Sequence, residues 1–180
     1  MLTIAVSGFL CFSCVKPETP APNPDDTENP DDQEKPGDES PWGTVSIADV
    51  LSGTLGEEYE LTAQVVGANT HGVILSQDTQ DYIYAFKGEA HGLGIGDIVK
   101  VKGVTSTRNG LVQFGSGCSI DKIKDGEYTF PEAKSISVEE ITSYMASPSI
   151  QYVQYEGTVL LSGNYTNFEI EGTDIVGSFD

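Results

Sequence analysis

Residues 95–114, IGDIVKVKGVTSTRNGLVQF, decide the fold. Asp97, Val99, Val101 and Gly103 fall on one face by the two-residue period of a strand, and Ile98, Lys100 and Lys102 fall on the other. One face is small and apolar, and the other is charged. Asn109-Gly110 supplies two residues that tolerate positive φ, as a two-residue hairpin turn requires, and Leu111-Val112-Gln113-Phe114 begins the return strand. The stretch therefore predicts a twisted antiparallel hairpin with one buried face.

Upstream, residues 58–65 alternate as a strand with one wet face, and residues 67–72 read as a turn. Residues 73–76 and 82–86 make two more strands, with a polar turn over 77–81. Ser46-Ile47-Ala48-Asp49 fits a capping box, which predicts a short helix through Leu51 that Gly53 ends. The segment GEAHGLGIG, residues 88–96, is too rich in glycine to hold a helix of any length. A further short strand is expected over 118–123. Five strands in a chain this small favour closure into a barrel, because closure removes the exposed sheet edges.

Residues 55–123 resemble the OB-fold of the nucleic-acid-binding type. The resemblance rests on GVILSQD in the second strand, the aromatic third strand, and LGIGDIVKVKG before the hairpin. It implies a five-stranded Greek-key barrel with a ligand face on the third strand and the hairpin. The chain departs from many such folds in lacking a helix between the third and fourth strands.

Residues 126–180 copy this pattern in part. Ser137 and Glu140 make a second capping box, residues 152–160 repeat the first strand, 167–170 the second and 175–179 the third. No counterpart of the hairpin follows, and three strands with one apolar face are marginal alone. The expectation is truncation, or docking of this partial unit on the first barrel, in preference to completion by a partner that pairs with its edge.

At the N-terminus, residues 1–14 (MLTIAVSGFLCFSC) have an apolar run suited to a signal peptide and too short to span a membrane as a helix. Ser13-Cys14 resembles the cleavage and lipidation site of bacterial lipoproteins, although Cys11 stands where leucine is usual and no basic residue precedes the run. The alternatives are an ordinary secretory peptide or a buried first strand. Residues 15–41 carry nine acidic and two basic side chains among many prolines, a composition that predicts a disordered tether. Lipidation at Cys14 followed by such a tether resembles the surface lipoproteins of Gram-negative bacteria. It implies a membrane partner through the lipid anchor and a place on the outer membrane, exposed at the cell surface or facing the periplasm. The domain reading is thus a signal over 1–14, a tether over 15–41, an OB-like barrel over 42–125 and a partial second unit over 126–180.

The net charge of −19 opposes non-specific attraction to phosphate backbones and anionic membranes. The chain carries no zinc-protease, Cys-x-x-Cys, nucleophile-elbow or phosphate-loop motif, so a non-enzymatic role without a cofactor is expected. His71 and His91 fall in loops, Asp78 and Asp81 in a polar turn, and Cys118 reads as a small buried strand residue. Tyr82, Tyr84 and Phe86 share one face of the third strand, where they either stack on a ligand or fill the barrel. Lys87, Lys100, Lys102 and Arg108 are the candidate basic rim of that face. The expected role is a cell-envelope module that binds an oligosaccharide or a protein. Recognition of extracellular single-stranded nucleic acid, or a structural spacer in a longer repeat protein, are the alternatives.

Overall fold

The computed structural model describes residues 4–11, 41–162 and 165–179. Cys14 and almost all of the acidic segment lie outside them. The chain is mostly strand, as the alternating patterns predict, and two short helices precede the two long strands.

The first helix, α1 (Ile47–Ser52), starts at the expected capping box: the Ser46 hydroxyl accepts from the Asp49 N–H, and the Asp49 carboxylate accepts from the Ser46 N–H at 3.0 Å. Gly53 caps its end. Ile47 and Val50 turn inward and are buried in the barrel's core cluster.

Five strands form the barrel: β2 (Glu58–Asn69), β3 (Gly72–Ser76), β4 (Tyr82–Phe86), β5 (Ile98–Arg108) and β6 (Leu111–Phe114). They hydrogen-bond in the circular order β2-β3-β4-β6-β5-β2, so no edge is left open. All neighbours are antiparallel except β4 and β6, which pair in parallel through Tyr84 with Gln113 and Ala85 with Phe114. This is the topology of an OB-like barrel. A sixth strand, β7 (Ser119–Lys124), continues along the same edge of β5 after a turn at 115–118.

The core holds Leu61, Ala63, Val65, Val73, Leu75, Ile83, Ala85, Val99, Val101 and Phe114. On β5 the expected face is buried: Val99, Val101, Gly103 and Thr105 alternate with exposed Lys100, Lys102 and Val104. Asn109 and Gly110, at φ 52° and 84°, make the hairpin turn between β5 and β6. That hairpin pairs Thr105–Arg108 with Leu111–Phe114, whereas Ile98–Lys102 lies beside β7 on that edge and β2 on the other.

One boundary differs from expectation. β2 does not turn at Gly67 but runs to Asn69, with a bulge at Val66 that absorbs one residue against β3. A bulge bends a strand without ending it, and glycine beside it is a frequent companion. Only Thr70 and His71 connect the two strands.

The second unit repeats the helix and first three strands of the first. The second helix, α2 (Val138–Ala146), carries the Ser137–Glu140 capping box, and β9 (Ser149–Ser162), β10 (Tyr165–Ile170) and β11 (Val176–Phe179) follow as an antiparallel meander. A two-residue strand, β8 (Lys134–Ser135), runs parallel to β9. Phe168 stands opposite Val159 as Leu75 stands opposite Val65, two places from the match that the sequence suggested. The N-terminal segment, β1 (Ile4–Cys11), pairs antiparallel with β9, as in the alternative that reads it as a first strand.

The two units meet through the connection between them. Tyr128 packs edge-on against Phe130 (centroids 4.9 Å apart), and Phe130 stacks on Tyr152 at 5.2 Å.

Candidate functional site

Strand period decides which way β4 presents its aromatics. Ile83 and Ala85 are fully buried in the barrel, so Tyr82, Tyr84 and Phe86 lie on the opposite face. The aromatic strip is therefore on the outside of the barrel and does not fill it.

The strip is divided along its length. Tyr82 is 6% exposed, and its hydroxyl donates to the Thr79 carbonyl at 3.0 Å. Burial, with Tyr128, Asp78 and Tyr152 nearby, raises its pKa far above the ordinary tyrosine value. The ring faces the junction between the two units, beside Pro148, Ser149 and Ile150. Tyr84 and Phe86 remain half-buried with centroids 6.4 Å apart.

Tyr84 and Phe86 line an open cleft of 580 Å³. Its other walls are Asn69, Thr70 and His71 from the β2–β3 turn, Arg108 and Asn109 from the hairpin, and Leu111 and Gln113 from β6. The parallel pairing of β4 with β6 brings these three parts together. Asn69 Oδ1 accepts from the backbone N–H groups of His71 (2.9 Å) and Gly72 (3.0 Å) and from the Tyr84 hydroxyl (3.0 Å). The tyrosine ring is thus tied to the turn. Gly72 makes room for it: a Cβ there would lie 2.7 Å from the Tyr84 hydroxyl oxygen and 2.8 Å from Cζ. His91 braces the same corner, since the Leu93 N–H donates to Nδ1 and leaves Nε2 to donate to the Asn69 carbonyl at 2.8 Å.

The charge of the lining is informative. None of its nine residues is acidic, in a chain with 28 acidic and 9 basic side chains, and Arg108 stands at its rim. Rings that offer faces, amides that donate and accept, and one guanidinium suit a ligand with ring surfaces and hydroxyl or anionic groups.

The basic rim needs correction at three of its four positions. Lys100 and Lys102 are on the outer face of β5, where they pair across the strand with Glu60 (2.5 Å) and Glu58 (3.2 Å) of β2, away from the cleft. The physical reason is register: β5 at these residues neighbours β2 and β7, and only its last four residues reach β6. Lys87 follows Phe86 without lining the cleft, and its ammonium lies 3.8 Å from Glu89. Of the seven candidate residues, Tyr84, Phe86 and Arg108 come together. Asn69, Thr70, His71, Asn109, Leu111 and Gln113 join them, and none of these six carries a binding signal in the sequence.

Asp78 and Asp81 sit in a hydrogen-bonded turn. Asp78 Oδ1 accepts from the N–H groups of Gln80 (2.7 Å) and Asp81 (2.9 Å), and the Ser76 hydroxyl donates to the Asp78 and Asp81 carbonyls. Among the described residues, no three His, Cys, Asp or Glu side chains gather as metal ligands would. Cys118 is buried against Gly103, and burial raises its thiol pKa.

No family model matches the chain, and neither the curated proteins nor the solved structures hold a match to it.

Proposed function

We propose that this chain is a non-catalytic binding module of the cell envelope, anchored by lipid on Cys14, and that its ligand sits in the cleft of Tyr84, Phe86 and Arg108. The observation that carries this reading is the outward face of β4: two half-buried rings with no place in the core line a concave surface free of carboxylates. The Tyr84 hydroxyl is already bonded to Asn69, so little side-chain entropy remains to be lost on binding. An oligosaccharide fits best, with sugar faces on the rings and hydroxyls on the Asn69, Asn109 and Gln113 amides. The signal-like N-terminus and acidic tether support the envelope location.

The acid-free lining with Arg108 also favours a second reading, single-stranded nucleic acid, which stacks bases on such rings. Nuclear magnetic resonance titrations with neutral oligosaccharides and with a short oligothymidine separate the two. Either ligand is expected to move the signals of Tyr84, Phe86, Arg108 and Gln113, and Tyr84→Ala is expected to abolish the shift. Oligothymidine binding should weaken steeply between about 50 and 200 mM salt, and neutral sugar binding should not. Shifts on Lys100 and Lys102 alone would move the site elsewhere. A structural spacer would show no shifts with any ligand.

A further inference from the structure

The edge of β9 carries an inference independent of the cleft. The two units share an order of elements, and with the Val66 bulge set aside, residues 152–157 of β9 stand where 58–63 of β2 stand. In the first unit the later half of β2 pairs with β3 and the earlier half pairs antiparallel with β5, closing the barrel. In the second, the later half of β9 pairs with β10, and the earlier half pairs antiparallel with β1, from Ile4 opposite Gly157 to Cys11 opposite Ser149. β1 thus takes on β9 the place that β5 takes on β2.

The edge itself is suited to being covered. Residues 149–157, SIQYVQYEG, hold one charged side chain, Glu156, and neither lysine nor proline, so little on the strand opposes strand addition. The occupant is uncharged, IAVSGFLC, whereas a second copy of the chain would bring another −19 of charge to the contact. Residues 12–40 can span up to roughly 95 Å when extended, ample for donation within one chain.

We propose that residues 149–157 of β9 form a strand-acceptor site, and that the apolar N-terminal segment is its donor in the unprocessed chain. The segment then covers the early half of β9 until it is removed, and, resting on the reading that Cys14 is lipidated, cleavage before that residue opens the edge.

The test uses the full chain with Cys11→Ser and Cys14→Ser. Ser7→Cys with Gln154→Cys puts two thiols on directly opposed residues, within disulfide reach. Ser7→Cys with Thr158→Cys separates them by four further residues, about 13 Å. An intramolecular disulfide in the first pair and none in the second is expected. No disulfide in the first pair, equal yields in both, or a cross-linked dimer, which would mean that a second copy takes the edge, overturns the proposal. Amide exchange needs no new cysteines: Val6→Pro should speed exchange over 149–157 at least about tenfold and leave the β2–β5 amides unchanged. Unaltered exchange in Val6→Pro, or absent protection in the parent, contradicts it as well.

Discussion

Replacing Gly103 by alanine tests the close approach on which the β5–β6–β7 corner depends. A Cβ at Gly103 would lie 2.5 Å from Cys118 Cβ, 3.0 Å from its Cα and 3.6 Å from Phe114 Cδ1. Carbon atoms prefer about 3.5–4.0 Å, so roughly 1 Å must be found between β5 and the turn before β7. Neither side yields freely. Gly103 is paired with Tyr59 across β2, and Cys118 is held by its N–H to the Gly115 carbonyl and its thiol to the Phe86 carbonyl at 3.5 Å. Overpacking of this kind costs about 1–3 kcal/mol. Where space is free, glycine to alanine stabilises by about 0.4–1 kcal/mol, so even the sign of the effect is diagnostic. At about 2 kcal/mol and an m-value of about 2 kcal/mol/M, the urea midpoint should fall by about 1 M with m unchanged. Cys118→Gly removes the nearer atom, so the double variant should recover at least about 1 kcal/mol relative to additivity. A Gly103→Ala chain as stable as the parent, or an additive cycle, refutes the reasoning.

Gly72→Ala should strain the β3–β4 pairing and displace the Tyr84 ring, since the new methyl would meet the Ala85 carbonyl first and the ring at 2.7–2.8 Å; a lower urea midpoint together with loss of cross-peaks between Tyr84 and Asn69 is the expected result. Asp97 accepts from the Gly94 N–H at 2.9 Å and pairs with Lys122 at 2.8 Å, and these contacts, the backbone bond first, lower its pKa. A lowered folded-state pKa gives stability that is present above the unfolded value, near 3.8, and is lost as the pH falls through the folded one. Urea midpoints measured from pH 6 down to pH 2 should therefore fall less in Asp97→Asn than in the parent. Cys118, buried and raised in pKa, should resist thiol reagents in the native state and react at the rate of unfolding.

Much of the fold is legible in local sequence, because several of its signals are local. The alternation from Asp97 to Gly103, the Asn109-Gly110 turn, both capping boxes and the limits of β4 each depend on neighbours within a few residues. What escaped depends on pairing over long separations. The length of β2 follows from the bulge at Val66 opposite β3, and no residue there signals it beyond Gly67. Lys100 and Lys102 share a strand and a face with Arg108, yet the change of partner along β5 separates them from it. The cleft itself is a product of the parallel β4–β6 contact, so its walls from the β2–β3 turn and β6 had no local mark. His91, which reads as a solvated loop residue, braces the end of β2 for the same reason.

Closure of the barrel through β4 and β6 is the claim on which the cleft rests, and cross-strand nuclear Overhauser effects test it most directly. Contacts of Tyr84 with Gln113 and of Ala85 with Phe114 in the parallel pattern, together with Ser106 to Gln113 across the hairpin, are the predicted result. A hairpin that shows its own contacts while β4 shows none to β6 would mean an open sheet, and Arg108 would then have no place beside Tyr84 and Phe86.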